Sequence, residues 1–299
     1  MPETITPEIT QVKYLRHIIP QIKEFLLSRN NKPELSLNTM TELNEFMFGI
    51  PKRCLTVIGA RTSHGKSAMA TQIAFDLADQ GHTVLFLSLE TTLEKIGARL
   101  FCYQQRFQNV KAFRGGIHEE LGRLAAFEQG VKDVPLIIND MLGRTWQDID
   151  KLLTTTALKP DVVIIDYIQT IANLGGKNTL ELINEYIRKF REMAVRNNFA
   201  GIVCSQINRT VNDDGNKVPQ AHQLKSSGFL EEHADLLLLL HWPYKYSDQK
   251  DINHFQVFIA KNKDGQTGYL NLKFEPQFYA FSNAYPVYLK KESHEKYAD

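Results

Sequence analysis

The chain has 299 residues, 43% hydrophobic and 23% charged, which suits a globular protein large enough for one big domain or two small ones. Its 35 basic and 34 acidic side chains leave a net charge of +1. That balance excludes a uniformly cationic nucleic-acid coat protein but allows a local basic groove.

No apolar run approaches the roughly 20 residues that cross a bilayer, so no membrane association is expected. The opening MPETITPEIT is unlike a signal or transit peptide. Cys54, Cys102 and Cys204 show neither metal nor disulfide spacing, so a cytoplasmic protein is expected.

Taken in chain order, the first segment carries Val12, Leu15, Ile18, Ile19, Ile22, Phe25 and Leu26 at helical spacing, a stripe interrupted by Pro20. Asn30 to Pro33 breaks it. A lone amphipathic helix needs a surface to bury its stripe, either on its own domain or on a neighbouring subunit. From Cys54 onward, short apolar runs alternate with helical patterns. CLTVIGA, TVLFLSLE, VPLIIND, DVVIIDYIQ and AGIVCSQ read as strands. Between them, Ser67 to Gln80, LEKIGARLFCYQQRF, TWQDIDKLLTTT (opened by Thr145) and LELINEYIRKFREMAVRNN read as helices. Continuous apolar strands separated by helices predict an α/β fold with a mostly parallel sheet covered on both faces. After residue 234 the texture changes to DLLLLLHW, HFQVFIAKN and TGYLNLKFE, with no helix between. KDGQ between the last two signals an antiparallel hairpin. The aromatic FYAFSNAYPVY is expected to cover a sheet edge or a neighbouring subunit. The polar KKESHEKYAD reads as a tail.

Residues 60–69 read ARTSHGKSAM, a small-residue loop between a buried strand and a helix. That is the context in which backbone N–H groups and a helix N-terminus cradle phosphates. The candidate nucleotide-binding residues are Ala60, Arg61, Thr62, Ser63, His64, Gly65, Lys66 and Ser67. Lys66 would supply charge at the β- and γ-phosphates, Ser67 a hydroxyl to Mg²⁺, and Gly65 room for close approach. Ala60 stands where this pattern usually has Gly, which is tolerable if its φ is negative. VVIIDY ends a strand in Asp166, a carboxylate placed beside Mg²⁺. Glu90, ending FLSLE, can orient or deprotonate water, or simply start a helix. Gln206, ending IVCSQ, can touch a γ-phosphate or be structural. Together these strand ends imply binding, and hydrolysis, of a nucleoside triphosphate.

In this order the motifs resemble the RecA-fold motor domain of the DnaB-type hexameric replicative helicases, from about residue 36 to 283. ARTSHGKS resembles that family's phosphate loop, LSLE its catalytic-Glu strand, VVIIDYIQT its Walker B segment and CSQINR its γ-phosphate-sensing Gln segment. QLKSSGFLEEHADLLLLL resembles a stretch that meets single-stranded DNA, and TELNEFMFGIPKR the entry to the motor. The resemblance implies a RecA-like P-loop ATPase core that uses ATP and Mg²⁺, with Glu90 activating water and Asp166 and Ser67 supporting the metal. It implies a hexameric ring moving 5′→3′ on single-stranded DNA, which Lys225, Ser226 and Gly228 would touch, and a helicase loader or primase as further partner. Residues 1–35 would then be a linker-helix segment, 36–285 the motor and 286–299 a tail.

Two features depart from the family pattern. The family carries an N-terminal domain ahead of its linker helix, and a chain of this length is too short for one. The family also reaches the neighbour's nucleotide with a Lys-x-Arg pair, where this sequence has Lys261, Asn262 and Lys263. Lys supplies charge without a bidentate fork. The motor reading therefore stands beside two others: an ATP-assembled RecA-fold switch in recombination, repair or regulation, and a nucleotide-gated DNA scaffold.

Overall fold

The computed structural model describes residues 15–28, 33–118, 120–171, 179–207, 218–224, 227–247 and 250–284. The chain divides into two units, Met1–Pro33 and Glu34–Asp299. The first contains helix α1 (Leu15–Ser28), which runs on through Pro20.

The second unit opens with α2 (Thr41–Met47), which buries Leu43 and Met47. The elements then alternate. β1 (Leu55–Ala60) leads into α3 (Lys66–Asp79), and β2 (Val84–Ser88) into α4 (Leu93–Gln104), α5 (Asn109–Phe113) and α6 (Leu121–Val131). β3 (Leu136–Asp140) leads into α7 (Trp146–Thr155), and β4 (Val162–Asp166) into α8 (Thr179–Asn197). β5 (Ala200–Gln206) is followed by α9 (Ser227–His233) and β6 (Leu236–His241). The last three strands are β7 (His254–Asn262), β8 (Gly268–Glu275) and β9 (Ala280–Asn283). As predicted, α7 is opened by Thr145, whose hydroxyl and the Asp148 carboxylate form a reciprocal capping box.

Among the described residues these strands form a nine-stranded sheet in the order β3-β2-β4-β5-β1-β6-β7-β8-β9. The pairings from β3 to β6 are parallel and the remaining three antiparallel. The expected mostly parallel sheet with a C-terminal hairpin is therefore observed. Because side chains alternate across a strand, the sheet divides its apolar residues between two cores. Val84, Phe86, Val162, Ile164, Leu238 and Leu240 face the core that also holds Ile73 and Leu77 of α3. Leu85, Leu87, Val163, Ile165, Leu237 and Leu239 face the core that holds Ile149 of α7 and Ile187 and Phe190 of α8. A parallel sheet covered on both faces explains the uninterrupted apolar runs.

β9 comes from the aromatic C-terminal stretch, which extends the sheet edge by pairing with β8. It is also tied to α3 by a side chain that mimics a strand. Gln72 Nε2 donates to the Phe281 carbonyl at 2.8 Å, and the Phe281 N–H donates back to Gln72 Oε1 at 2.7 Å. Residues 285–299, including the predicted tail from 286, lie outside the described residues.

Candidate nucleotide site

The loop between β1 and α3 is shaped by its backbone. Ser63 has φ 63° and Gly65 φ 78°, both left-handed, and the His64 N–H donates to the Arg61 carbonyl at 3.2 Å. A Cβ at Gly65 would sit 3.1 Å from the Phe281 ring, so a side chain there would strain the left-handed backbone and crowd that ring. Ala60 closes β1 in extended conformation, which removes the need for glycine at that position. The glycine before it is fixed by packing instead, since a Cβ at Gly59 would meet Leu224 at 2.5 Å and Leu239 at 2.9 Å. α3 starts with no side-chain cap, so its first N–H groups keep their capacity for an anion.

The sheet brings the other predicted residues to the same edge. Register pairs Ala60 with Gln206 and Ser88 with Asp166, so β1, β2, β4 and β5 end together. The Leu89 N–H donates to the Asp166 carbonyl at 2.8 Å, which sets Glu90 just beyond it. A cavity of about 440 Å³ opens there, bordered by Ala60 to Ser63, Gly65 to Ser67, Glu90, Tyr167 and Gln206. That volume suits a small-molecule site.

Asp166 lies behind the cavity surface, 2% exposed, and is ion-paired to Lys66. Burial by itself disfavours the Lys66 ammonium, but the Asp166 carboxylate, and to a lesser extent Glu90, outweigh it and raise its pKa above the ordinary value. The Lys66 Nζ also lies 4.5 Å from the centre of the Tyr167 ring. Burial, then Asp166, pushes the neighbouring Cys204 thiol well up, so it stays a neutral packing group. Gln206 Nε2 donates to Thr62 Oγ1 at 2.9 Å, tying the β5 end to the loop.

His64 differs from the rest of the loop. It is 5% exposed and does not border the cavity, and its Nδ1 donates to the Thr62 carbonyl at 3.1 Å.

The far wall of the cavity was not foreseen as such. It consists of Arg99 from α4, Asn109 from α5, and Trp242, Phe274, Pro276 and Tyr279. Trp242 also packs edge-on to Phe274 at 5.0 Å, and its Nε1 donates to the Ile252 carbonyl at 2.8 Å. No motif marks these residues. Asn109, Pro276 and Tyr279 are held there by the clamp on β9 and by the Asn109 bonds to the turn before it, N–H to the Gln277 carbonyl at 2.8 Å and Nδ2 to the Pro276 carbonyl at 3.1 Å.

Lys261 and Lys263 stand at the other edge of the sheet. β7 runs antiparallel to β6 and pairs Lys261 with Leu237, near the start of β6. Lys261 Nζ donates to the Glu231 and Glu232 carbonyls at 2.6 and 2.9 Å, capping the end of α9. Lys263 Nζ donates to Asp235 at 2.6 Å. Asp235, 6% exposed, also accepts from Arg191 at 3.0 and 3.1 Å and from the Leu55 N–H at 2.8 Å. Burial opposes the Asp235 charge, but these partners hold its pKa below the ordinary value.

Of the predicted DNA-contacting residues, Gly228 lies in the first turn of α9, while Lys225 and Ser226 fall outside the described residues. The polar 208–217 stretch also lies outside them. No helix among the described residues is long and apolar enough to cross a membrane.

Residues 37–283 match the family described as DnaB-like helicase C terminal domain. The replicative DNA helicase DnaB of Geobacillus stearothermophilus is 27% identical over 253 residues, covering 81% of this chain and 55% of that protein. A solved DnaB-like replicative helicase, studied for its interactions with primase, superposes with TM-score 0.81 at 26% identity over 91% of this chain and 68% of that one. A second solved structure, described as an ATPase domain, gives TM-score 0.80 at 25% identity over 92% of this chain and 100% of that one. The chain spans about half the length of the curated relatives it matches, 55% and 51% of the first two. With the motif order, the RecA-like sheet and the match across residues 37–283 in agreement, the chain belongs to the family of DnaB-like helicase C-terminal domains.

Proposed function

We propose that the chain is the ATP-driven motor of a replicative DNA helicase, a ring of identical subunits that moves along single-stranded DNA. The observation that carries this reading is the convergence of Lys66, Ser67, Glu90 and Gln206 on one cavity, with Asp166 directly behind it. Family membership supports extending it to translocation.

In this reading the triphosphate of ATP lies over the uncapped start of α3, where backbone N–H groups and Lys66 meet its oxygens. Lys66 then exchanges its bond to Asp166 for one to phosphate. Ser67 and Asp166 would hold Mg²⁺, which supplies charge neutralisation at the transferring phosphoryl group. The donor set fits. The Ser67 hydroxyl and the Asp166 carboxylate are hard oxygen donors, and Mg²⁺ is commonly held by one or two protein groups plus substrate phosphates. Glu90, exposed at the cavity, orients and deprotonates the attacking water. Gln206 senses the γ-phosphate and passes its presence to β5. Arg99, Asn109 and Tyr279 form the wall for the rest of the nucleotide.

Lys261 and Lys263 reach the nucleotide of the adjacent subunit, consistent with their place at the sheet edge away from the chain's own cavity. Lys225, Ser226 and Gly228 contact the DNA backbone without reading sequence. The relative studied with primase supports a primase partner, and a helicase loader is proposed on the same footing.

The test is strand displacement on a forked duplex, with wild type and Lys66→Ala compared in ATP and Mg²⁺. Displacement by wild type alone supports the motor. ATP-dependent oligomers that hydrolyse ATP without displacement would favour the RecA-fold switch. The occupied state of Lys263, bonded to Asp235, speaks for that second reading because it leaves the trans site short of a free cation.

A further inference from the structure

Two residues of the phosphate loop are bulky, and both are tied to one side chain outside it. Arg61 donates from a guanidinium NH to Tyr246 Oη at 2.8 Å, with its Cζ 5.6 Å from the centre of that ring. The His64 ring lies 5.5 Å from the Tyr246 ring and 6.5 Å from that of His241, and His241 lies 5.5 Å from Tyr246. Tyr246 ends a short 3-10 helix, Pro243–Tyr246, that begins directly after Trp242 of the cavity wall. One short segment thus meets the site twice, with Trp242 at the wall and Tyr246 against the loop side chains.

The loop needs such support. Ser63 is held at φ 63°, a left-handed conformation unfavourable for a non-glycine residue, so surrounding structure must determine it. Burial keeps His64 and His241 uncharged near neutral pH, the latter with its pKa at about 4. Arg61 is therefore the cation of the cluster. Its Nε is buried and has no hydrogen-bond partner among the described residues, which concentrates its polar anchoring there on the Tyr246 hydroxyl.

We infer that Tyr246 is a positioning residue for nucleotide binding: through its bond to Arg61 and its packing on His64, it presets the phosphate loop in the shape that receives a triphosphate. The inference rests on the nucleotide reading of the cavity. It gives the Trp242–Tyr246 segment a role that the phosphate-loop motif does not contain.

The experiment is a double-mutant cycle on the full chain, with Tyr246→Phe, Arg61→Met and the pair. Binding of a fluorescent ATP analogue with Mg²⁺ and steady-state ATP hydrolysis are both measured. Tyr246→Phe keeps the ring packing and removes only the hydroxyl. It is expected to weaken binding and raise KM about tenfold, the order of one charge-assisted hydrogen bond, with kcat at saturation within about twofold of wild type. Arg61→Met removes the same donor from the other end, so the pair should bind no more weakly than Arg61→Met alone. Binding by Tyr246→Phe within twofold of wild type, or fully additive losses in the pair, would overturn the inference. Should Tyr246→Phe fail to fold, Tyr246→Leu, which also lacks the hydroxyl, decides: binding within twofold of wild type overturns the inference, and a loss of tenfold or more supports it. A wild-type chain that binds no nucleotide would remove the function reading as well. Normal wild-type binding with an indifferent Tyr246→Phe would remove this inference alone.

Discussion

Lys263 donates to Asp235 at 2.6 Å, at the edge of the sheet opposite the phosphate loop. The Asp235 N–H donates to the carbonyl of Leu55, where β1 begins, whereas the phosphate loop follows the last residue of β1. The residue proposed to complete a neighbour's site therefore starts from an internal ion pair that must open before it reaches a phosphate. Replacing Lys263 with Ala should lower kcat by about tenfold or more, with a much smaller change in KM, because the lost interaction belongs to the transition state. Lys263→Arg, which restores a bidentate fork, should raise kcat above wild type. Steady-state hydrolysis by the assembled oligomer checks both.

Asp235 itself should matter for stability. Asp235→Asn keeps an acceptor for the Leu55 N–H but removes the charge facing Arg191 and Lys263. A loss of about 2 kcal/mol is expected, reduced from the value for a fully buried pair because both cations are partly exposed. The depressed Asp235 pKa fixes the pH dependence: its contribution is present above the unfolded carboxylate pKa and disappears as pH falls through the folded value. Urea unfolding at pH 7 and pH 3 should show a gap between wild type and variant at the first pH that narrows at the second.

Glu90 and Lys66 should separate chemistry from binding. Glu90→Gln should bind a fluorescent ATP analogue within about threefold of wild type while losing about 10²–10⁴ in turnover, the range of a general base. Lys66→Ala should lose both. If Glu90→Gln hydrolysed ATP at the wild-type rate, Glu90 would be a structural strand-end residue.

His241 predicts an acid-sensitive fold. Its pKa falls from 6.5 to about 4 through burial, then through the nearby His64 and cationic side chains. The unfolded chain therefore binds a proton that the folded chain refuses between those values, and stability falls as pH drops from 6.5 towards 4. The full effect is about 3 kcal/mol. His64 acts in the same direction. The urea midpoint of His241→Leu should be flatter over that window than that of wild type.

The sheet, and the edge where the candidate residues gather, are legible in the sequence for a simple physical reason. Buried parallel strands show as uninterrupted apolar runs, and their ends converge on one edge, so Lys66, Glu90, Asp166 and Gln206 can be brought together from strand order alone. The far wall is not legible in this way. Arg99 sits in a helix of ordinary pattern, and Tyr279 reaches the cavity because Gln72 imitates a strand and holds β9. β9 spans only Ala280–Asn283, too short for a periodic signal. The clasp around Tyr246 depends on ring contacts between residues distant in sequence, which spacing does not encode.

The most direct test of the central claim is the ATP hydrolysis rate of the assembled chain with and without a single-stranded DNA oligonucleotide. A coupled motor predicts a strong rise on adding DNA that Lys66→Ala abolishes. A rate in wild type that DNA leaves unchanged would contradict the account.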